Sequence, residues 1–182
     1  MNKINKKIDK LTKELDEISN IVKMFQQQQS QHEQYQNEIC IFWDIENCAI
    51  PKEKSGYELV SIIQDYVSTI YPESKIIIKC YFEDKQLGDK QQIELNDAGC
   101  HLHLVPNPYK KKERSDMVIV RDMMNINENH IIGLISNDGD FKPYLTQLQT
   151  KVKEVFLMTD NKKYSDFMPN VISWKEICLE LE

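Results

Sequence analysis

The chain is 182 residues long, 41% of them hydrophobic, with a formal net charge of -6 at pH 7. That length suits one domain around a single core, and the acidic balance excludes a protein that binds nucleic acid merely by being basic, so any such binding has to be local. Met1 to Lys10 are charged throughout and no apolar stretch approaches the roughly 18 to 20 residues that span a bilayer, which predicts a soluble protein without a membrane partner, intracellular and either cytoplasmic or nuclear.

The first pattern along the chain is helical. Ile4, Ile8, Leu11, Leu15, Ile18, Val22 and Phe25 recur at alternating spacings of four and three, the a/d seam of a coiled coil, with Lys, Glu and Asp on the other faces. Residues 1–36 therefore read as an N-terminal amphipathic, coiled-coil helix running into a polar, Gln-rich linker, and residues 37–182 as the folded domain. The seam over residues 4–25 calls for a protein partner or self-association, with packing back onto its own domain as the alternative.

From residue 37 onward strand and helix patterns alternate, the signature of a parallel α/β sheet. Strand one is Ile39 to Trp43, short, apolar and β-branched. The capping box Ser55-Gly56-Tyr57-Glu58 opens a helix whose apolar positions Leu59, Val60, Ile63, Tyr66, Val67 and Ile70 follow a 3.6 period, and Pro72 ends it. Ile76 to Phe82 is strand two, Lys85 to Asn96 a polar helix closed by Gly99, and Cys100 to Val105 strand three. Met117 to Met124 reads as a helix, because parallel neighbours need a crossover there. Ile131 to Ser136 is strand four, Phe141, Tyr144, Leu145 and Leu148 mark the next helical face, Val152 to Met158 is strand five, and Trp174 to Leu181 a closing helix. The expected fold is a three-layer α/β/α sandwich. Cys40, Cys48, Cys80, Cys100 and Cys178 are odd in number, without a CxxC pair, and read as reduced thiols.

Parallel sheets bind ligands outside the carboxyl ends of their strands, and here those ends are acidic. Strand one delivers Asp44, strand two Glu83 and Asp84, strand four Asp138 and Asp140, strand five Asp160. Converging carboxylates need a counter-cation to stay ionised, and hard oxygen ligands suit Mg²⁺ or Mn²⁺. Such a cation orients a phosphodiester and lowers the pKa of a bound water, which points to metal-assisted hydrolysis. Plainer roles compete at each position: Asp44 closing a turn, Asn47 forming an Asx turn, Asp116 or Asp140 capping a helix, and Glu46, Glu83, Asp84, Asp122 and Asp160 serving as solvated ends or ion-pair partners. The dense basic cluster Tyr109-Lys110-Lys111-Lys112-Glu113-Arg114 could hold a nucleic-acid backbone through its cations while Tyr109 stacks a base. His101 and His103, at i and i+2 on strand three, lack further ligands at zinc spacing and read as a surface or packed strand.

Three segments carry a family likeness. Phe42-Trp43-Asp44-Ile45-Glu46-Asn47, Ser115-Asp116-Met117-Val118-Ile119-Val120-Arg121-Asp122 and Ile135-Ser136-Asn137-Asp138-Gly139-Asp140-Phe141 resemble the three motifs of the NYN domain family of PIN-like ribonucleases, closest in flavour to the meiosis regulator and mRNA stability factor (limkain) group. The resemblance implies a PIN-like sheet of order 3-2-1-4-5 and a divalent metal held by Asp44, Asp116 and Asp138. It also implies Asp140 nearby and single-stranded RNA as substrate; Asn47, for its part, could orient Asp44 or the scissile phosphate through its amide, which adds Asn47 and Asp140 to the candidate catalytic residues. Asn137 stands where the third motif usually has Gly; Asn tolerates the left-handed backbone that such a Gly often marks. Two functions follow as expectations. One is a Mg²⁺- or Mn²⁺-dependent endoribonuclease on single-stranded RNA, or DNA, that uses metal-activated water. The other is an inactive NYN-fold subunit that binds nucleic acid or scaffolds a larger complex through its N-terminal helix.

Overall fold

The computed structural model describes residues 37–108 and 114–179, and before them residues 15, 18–21 and 23. The chain divides into two units, Met1–Gln36 and Asn37–Glu182. In the first unit the described positions are helical, and Leu15 and Ile18 of the expected seam are 71% and 60% exposed. The seam positions Ile4, Ile8, Leu11, Val22 and Phe25 lie outside the described residues, as do Tyr109, Lys110, Lys111 and Lys112 of the basic cluster and the expected helix end at Leu181.

The second unit runs β1 (Asn37–Asp44), α1 (Gly56–Ile70), β2 (Ser74–Glu83), α2 (Asp89–Asp97), β3 (His101–Val105), α3 (Arg114–Met124), β4 (Ile131–Ile135), α4 (Lys142–Leu148), β5 (Glu154–Met158), β6 (Val171–Ile172) and α5 (Trp174–Leu179). The strands form one all-parallel sheet of order β3-β2-β1-β4-β5-β6. This is the PIN-like order expected from the sequence, with one further edge strand.

Side-chain parity along β1 builds the two cores. Ile39, Ile41 and Trp43 pack against Leu59, Ile63 and Val67 of α1 and Trp174 and Ile177 of α5. Cys40 and Phe42 point the opposite way, into a cluster with Ile119 and Met123 of α3 and Leu145 and Leu148 of α4. Each fully buried aliphatic side chain contributes on the order of 1.5–3 kcal/mol, and β1, buried on both faces, holds the centre of the sheet. At α1 the capping box forms as the sequence predicts: the Glu58 N–H donates to Ser55 Oγ (3.2 Å) and the Ser55 N–H to Glu58 Oε2 (2.7 Å). The Gly56 N–H donates to Glu94 Oε2 of α2 (2.8 Å), which ties the two helices together. In β4, Gly133 lies over the Phe156 ring; a Cβ there would sit 2.4 Å from Phe156 Cζ, so no larger residue fits without moving the ring.

Three differences from the sequence reading have local causes. The helix α2 starts at Asp89 rather than Lys85, because Lys85 takes a left-handed φ of 71° and the Gln86 N–H closes a turn onto the Glu83 carbonyl (3.2 Å). The strand β6 is only two residues long, Val171 and Ile172, too short to show alternation. Ser136 falls just past the end of β4. All five cysteines are free, with Cys178 half-buried and the others buried. Among the described residues no helix is long and apolar enough to cross a membrane.

Candidate functional site

Asp44 is the last residue of the central strand and is fully buried. Its backbone fixes the loop that follows: the Cys48 N–H donates to the Asp44 carbonyl (2.9 Å) and the Trp43 indole Nε1–H to the Cys48 carbonyl (2.7 Å). Because β4 pairs with β1 through Ile135 and Trp43, Ser136 emerges beside Asp44. The Ser136 hydroxyl donates to Asp44 Oδ2 (2.7 Å), and Asn47 Nδ2 donates to the same oxygen (2.8 Å). The other oxygen, Asp44 Oδ1, is buried with no hydrogen-bond partner among the described residues. Burial raises the Asp44 pKa above the usual carboxylate value, and the nearby Glu46 charge adds to it. The bonds from Ser136 and Asn47 oppose that rise without cancelling it.

Ser136 links this carboxylate to the third motif, since its Oγ accepts from the Asp138 N–H (3.1 Å). Asp138 caps the 3-10 turn Gly139–Phe141, its Oδ1 accepting from the Asp140 N–H (2.9 Å). The capping role weighed for Asp140 therefore belongs to Asp138, and Asp140 is left exposed in the first turn. The Tyr164 hydroxyl donates to the Asp138 carbonyl. Its own pKa is raised by burial and then by the charges of Asp138, Asp140 and Asp116, so the fields of all three carboxylates reach one hydroxyl. Asp116 stands half-buried in the first turn of α3 and with Asp140 is among the residues lining a cleft of about 230 Å³.

Asn137 does not take the left-handed conformation the sequence allowed: among the described residues other than glycine, only Glu73 and Lys85 have positive φ. It acts as a clamp instead. Its Nδ2 donates to the Asn47 carbonyl (3.3 Å), its Oδ1 accepts from Thr159 Oγ1 (3.0 Å) and the Asp160 N–H (2.7 Å), and its carbonyl accepts from Asn161 Nδ2 (2.8 Å). The loops after β1, β4 and β5 are thereby joined. Neither Ser136, Asn137 nor Tyr164 was singled out from sequence as a positioning group. A hydroxyl directly after a buried strand, next to an Asn-Asp pair, is a usable signal for Ser136; Tyr164 carries none.

The remaining candidates are placed as follows. Glu46 Oε2 accepts from Gln86 Nε2 (3.1 Å) and from Ser115 Oγ at the start of α3 (3.4 Å), which fastens the first motif to the second. Glu83 accepts from Asn107 Nδ2 through both oxygens (2.8 and 2.9 Å), Asp122 from the Tyr81 hydroxyl (2.9 Å), and Asp160 from Ser173 Oγ and the Lys175 N–H at the start of α5 (2.9 and 3.0 Å). Arg114 opens α3, two positions before Asp116. His103 stacks on Tyr81 with ring centroids 4.6 Å apart, and burial lowers its pKa; His101 is exposed. The Cys48 thiol, close to Asp44, is pushed up by burial and then by the Asp44 charge, so it stays protonated and is no nucleophile at neutral pH.

Mg²⁺ keeps several waters and is commonly bound by one or two carboxylates plus substrate phosphates rather than by a protein cage. The residues present fit such a cation. Asp44 Oδ1 is a hard, buried oxygen in need of a cationic or donor partner; against that, among the described residues no three His, Cys, Asp or Glu groups stand close enough together to hold a metal ion, so the fit is to a cation held by one or two carboxylates and completed by water and substrate. Comparison with known families gives a match between the NYN domain model and residues 38–173, most of the chain. No curated protein matches the chain.

Proposed function

The chain belongs to the NYN domain family, and from that premise we propose that it is a Mg²⁺- or Mn²⁺-dependent endoribonuclease acting on single-stranded RNA. The observation that carries the proposal is Asp44: a fully buried carboxylate with one oxygen fixed by Ser136 and Asn47 and the other without a hydrogen bond among the described residues. A buried charge left in that state is costly unless a proton, toward which its raised pKa moves it, or a cation completes it, and the cation is the partner that the neighbouring Asp138 and Asp116 favour. In this reading Asp44, Asp116 and Asp138 hold the metal, Asp140 lies alongside, and Asn47 and Ser136 keep the Asp44 carboxylate in one orientation. When bound, the cation supplies an acidified water and offsets the charge that develops on the phosphate. Lys110, Lys111, Lys112 and Arg114, with Tyr109, retain the strand. Residues 37–182 form the catalytic module, and residues 1–36 recruit a partner or a second copy.

The test is incubation of the purified protein with labelled single-stranded RNA and Mn²⁺, beside Asp44→Asn and Asp138→Asn. Cleavage by the wild type and its loss in both variants is the expected result; cleavage that survives both sinks the assignment. A second reading, a non-catalytic subunit, is favoured by one observation, the lack of a closed three-ligand site among the described residues. It predicts RNA binding without cleavage at any Mn²⁺ concentration.

A further inference from the structure

A cleft beside the carboxylates is lined by α3 on one side and by the 3-10 turn after β4 and α4 on the other. One wall is a face of α3, with Asp116 first, then Met117 and Val120, then Arg121; the other is formed by Asp140, Phe141 and Tyr144. Phe141 is buried, whereas Met117 and Tyr144 are 73% and 42% exposed. The guanidinium of Arg121 is held by Asp122 Oδ1, which accepts from its Nε (2.8 Å) and lies 2.8 Å from a terminal nitrogen. The lining thus brings together two carboxylates near the candidate metal site, apolar and aromatic side chains, and a cation, the groups that a nucleotide needs for its phosphate at the metal, its flat base and the neighbouring phosphate. The volume of about 230 Å³ lies below the roughly 300–1,000 Å³ of sites for drug-sized ligands, so it suits one heterocycle.

We infer that this cleft is a nucleobase pocket, in which the base next to the scissile phosphate stacks on Tyr144 and lies against Met117, with the neighbouring phosphate on Arg121. The inference rests on the ribonuclease reading for the direction of the strand and deepens it. An aromatic face gives stacking that tolerates any base, and the thioether gives a soft, adaptable opposite wall. The pocket thus sets where along the strand the phosphate is presented without imposing a strict sequence. Asp140 in its lining can accept from an exocyclic amino group, which favours adenine, cytosine or guanine over uracil.

The test is equilibrium binding by the full chain, with Ca²⁺ replacing Mn²⁺, of a short single-stranded oligoribonucleotide and of its abasic ribose-phosphate counterpart. Tyr144→Ala is expected to weaken binding of the intact oligomer roughly 5- to 150-fold, the loss of one stacked base, and to leave the abasic oligomer unaffected. Tyr144→Phe retains wild-type binding. Tyr144 is exposed, and a melting curve for each variant checks that it is folded. An equal loss for intact and abasic oligomers, or no loss while the wild type still binds and cleaves, overturns the pocket and leaves the ribonuclease reading standing. Failure of the wild type to bind RNA at all overturns both.

Discussion

Replacing Asp44 by Asn removes one charge and almost no volume, so its effects isolate what the carboxylate does. Without a divalent cation the wild-type protein buries Asp44 with its pKa raised and Oδ1 without a hydrogen bond. The Asn carbonyl can still accept from Ser136 and Asn47, and the NH₂ takes the place of Oδ1 as an unsatisfied donor. A charge penalty is thus exchanged for a neutral one, and the variant should lie within about 1 kcal/mol of the wild type, or above it. With Mn²⁺ at about 100 times its dissociation constant, the wild type gains roughly 2.7 kcal/mol by mass action. At about 2–4 °C per kcal/mol for a domain of this size, that raises the melting temperature by roughly 5–11 °C. The variant should gain almost none of it. Thermal melts of both proteins in chelator and in a Mn²⁺ series read this directly. An equal Mn²⁺ shift in Asp44→Asn, or none in the wild type, refutes the argument that the buried oxygen awaits a cation.

Two further perturbations probe the hydrogen-bonded frame. Ser136→Ala removes a donor to Asp44 Oδ2 and an acceptor of the Asp138 N–H; the expected loss is about 2–4 kcal/mol at neutral pH. In chelator that loss should shrink in acid. The folded Asp44 pKa is raised, so its favourable contribution is full below the ordinary carboxylate value and is lost as pH rises through the folded one. Removing the Ser136 bond raises the folded value further; urea melts that show the same difference at acidic and neutral pH would contradict this. Asn137→Gly restores the residue expected from the family resemblance but deletes three side-chain bonds across three loops. We expect about 2–4 kcal/mol of destabilisation and faster amide exchange at Asp160, and unchanged exchange there would show that the clamp is dispensable.

The apolar runs that became β1 and β4 were legible because a parallel strand covered on both faces has to be continuously hydrophobic, and the α1 capping box because its bonds span only three residues. Asp44 and Asp138 stood out by chain position alone, directly after those runs. What ties them together did not. The Ser136–Asp44 bond joins residues 92 apart and exists only because β4 pairs with β1 in one register, a relation that no local pattern encodes. Asn137 was read through its backbone tolerance, whereas its side chain does the work, and Tyr164 reaches Asp138 from a short turn without periodicity. The edge strand β6 was missed for the same reason: two residues acquire strand character from their neighbour, Leu157 and Met158, and not from their own sequence.

The alternation along β1 also bears on how this site can change. Even-numbered positions face α3 and α4, the layer that carries Asp116 and Asp140, and Asp44 continues that parity beyond Cys40 and Phe42. Loss or gain of a single residue within the strand would turn the carboxylate toward α1 and α5, away from the layer of Asp116, while leaving every apolar residue able to find a core. The spacing between the start of the strand and Asp44 therefore acts as a reading frame for chemistry. Substitutions along β1 are filtered by packing, but insertions and deletions there are filtered by the site.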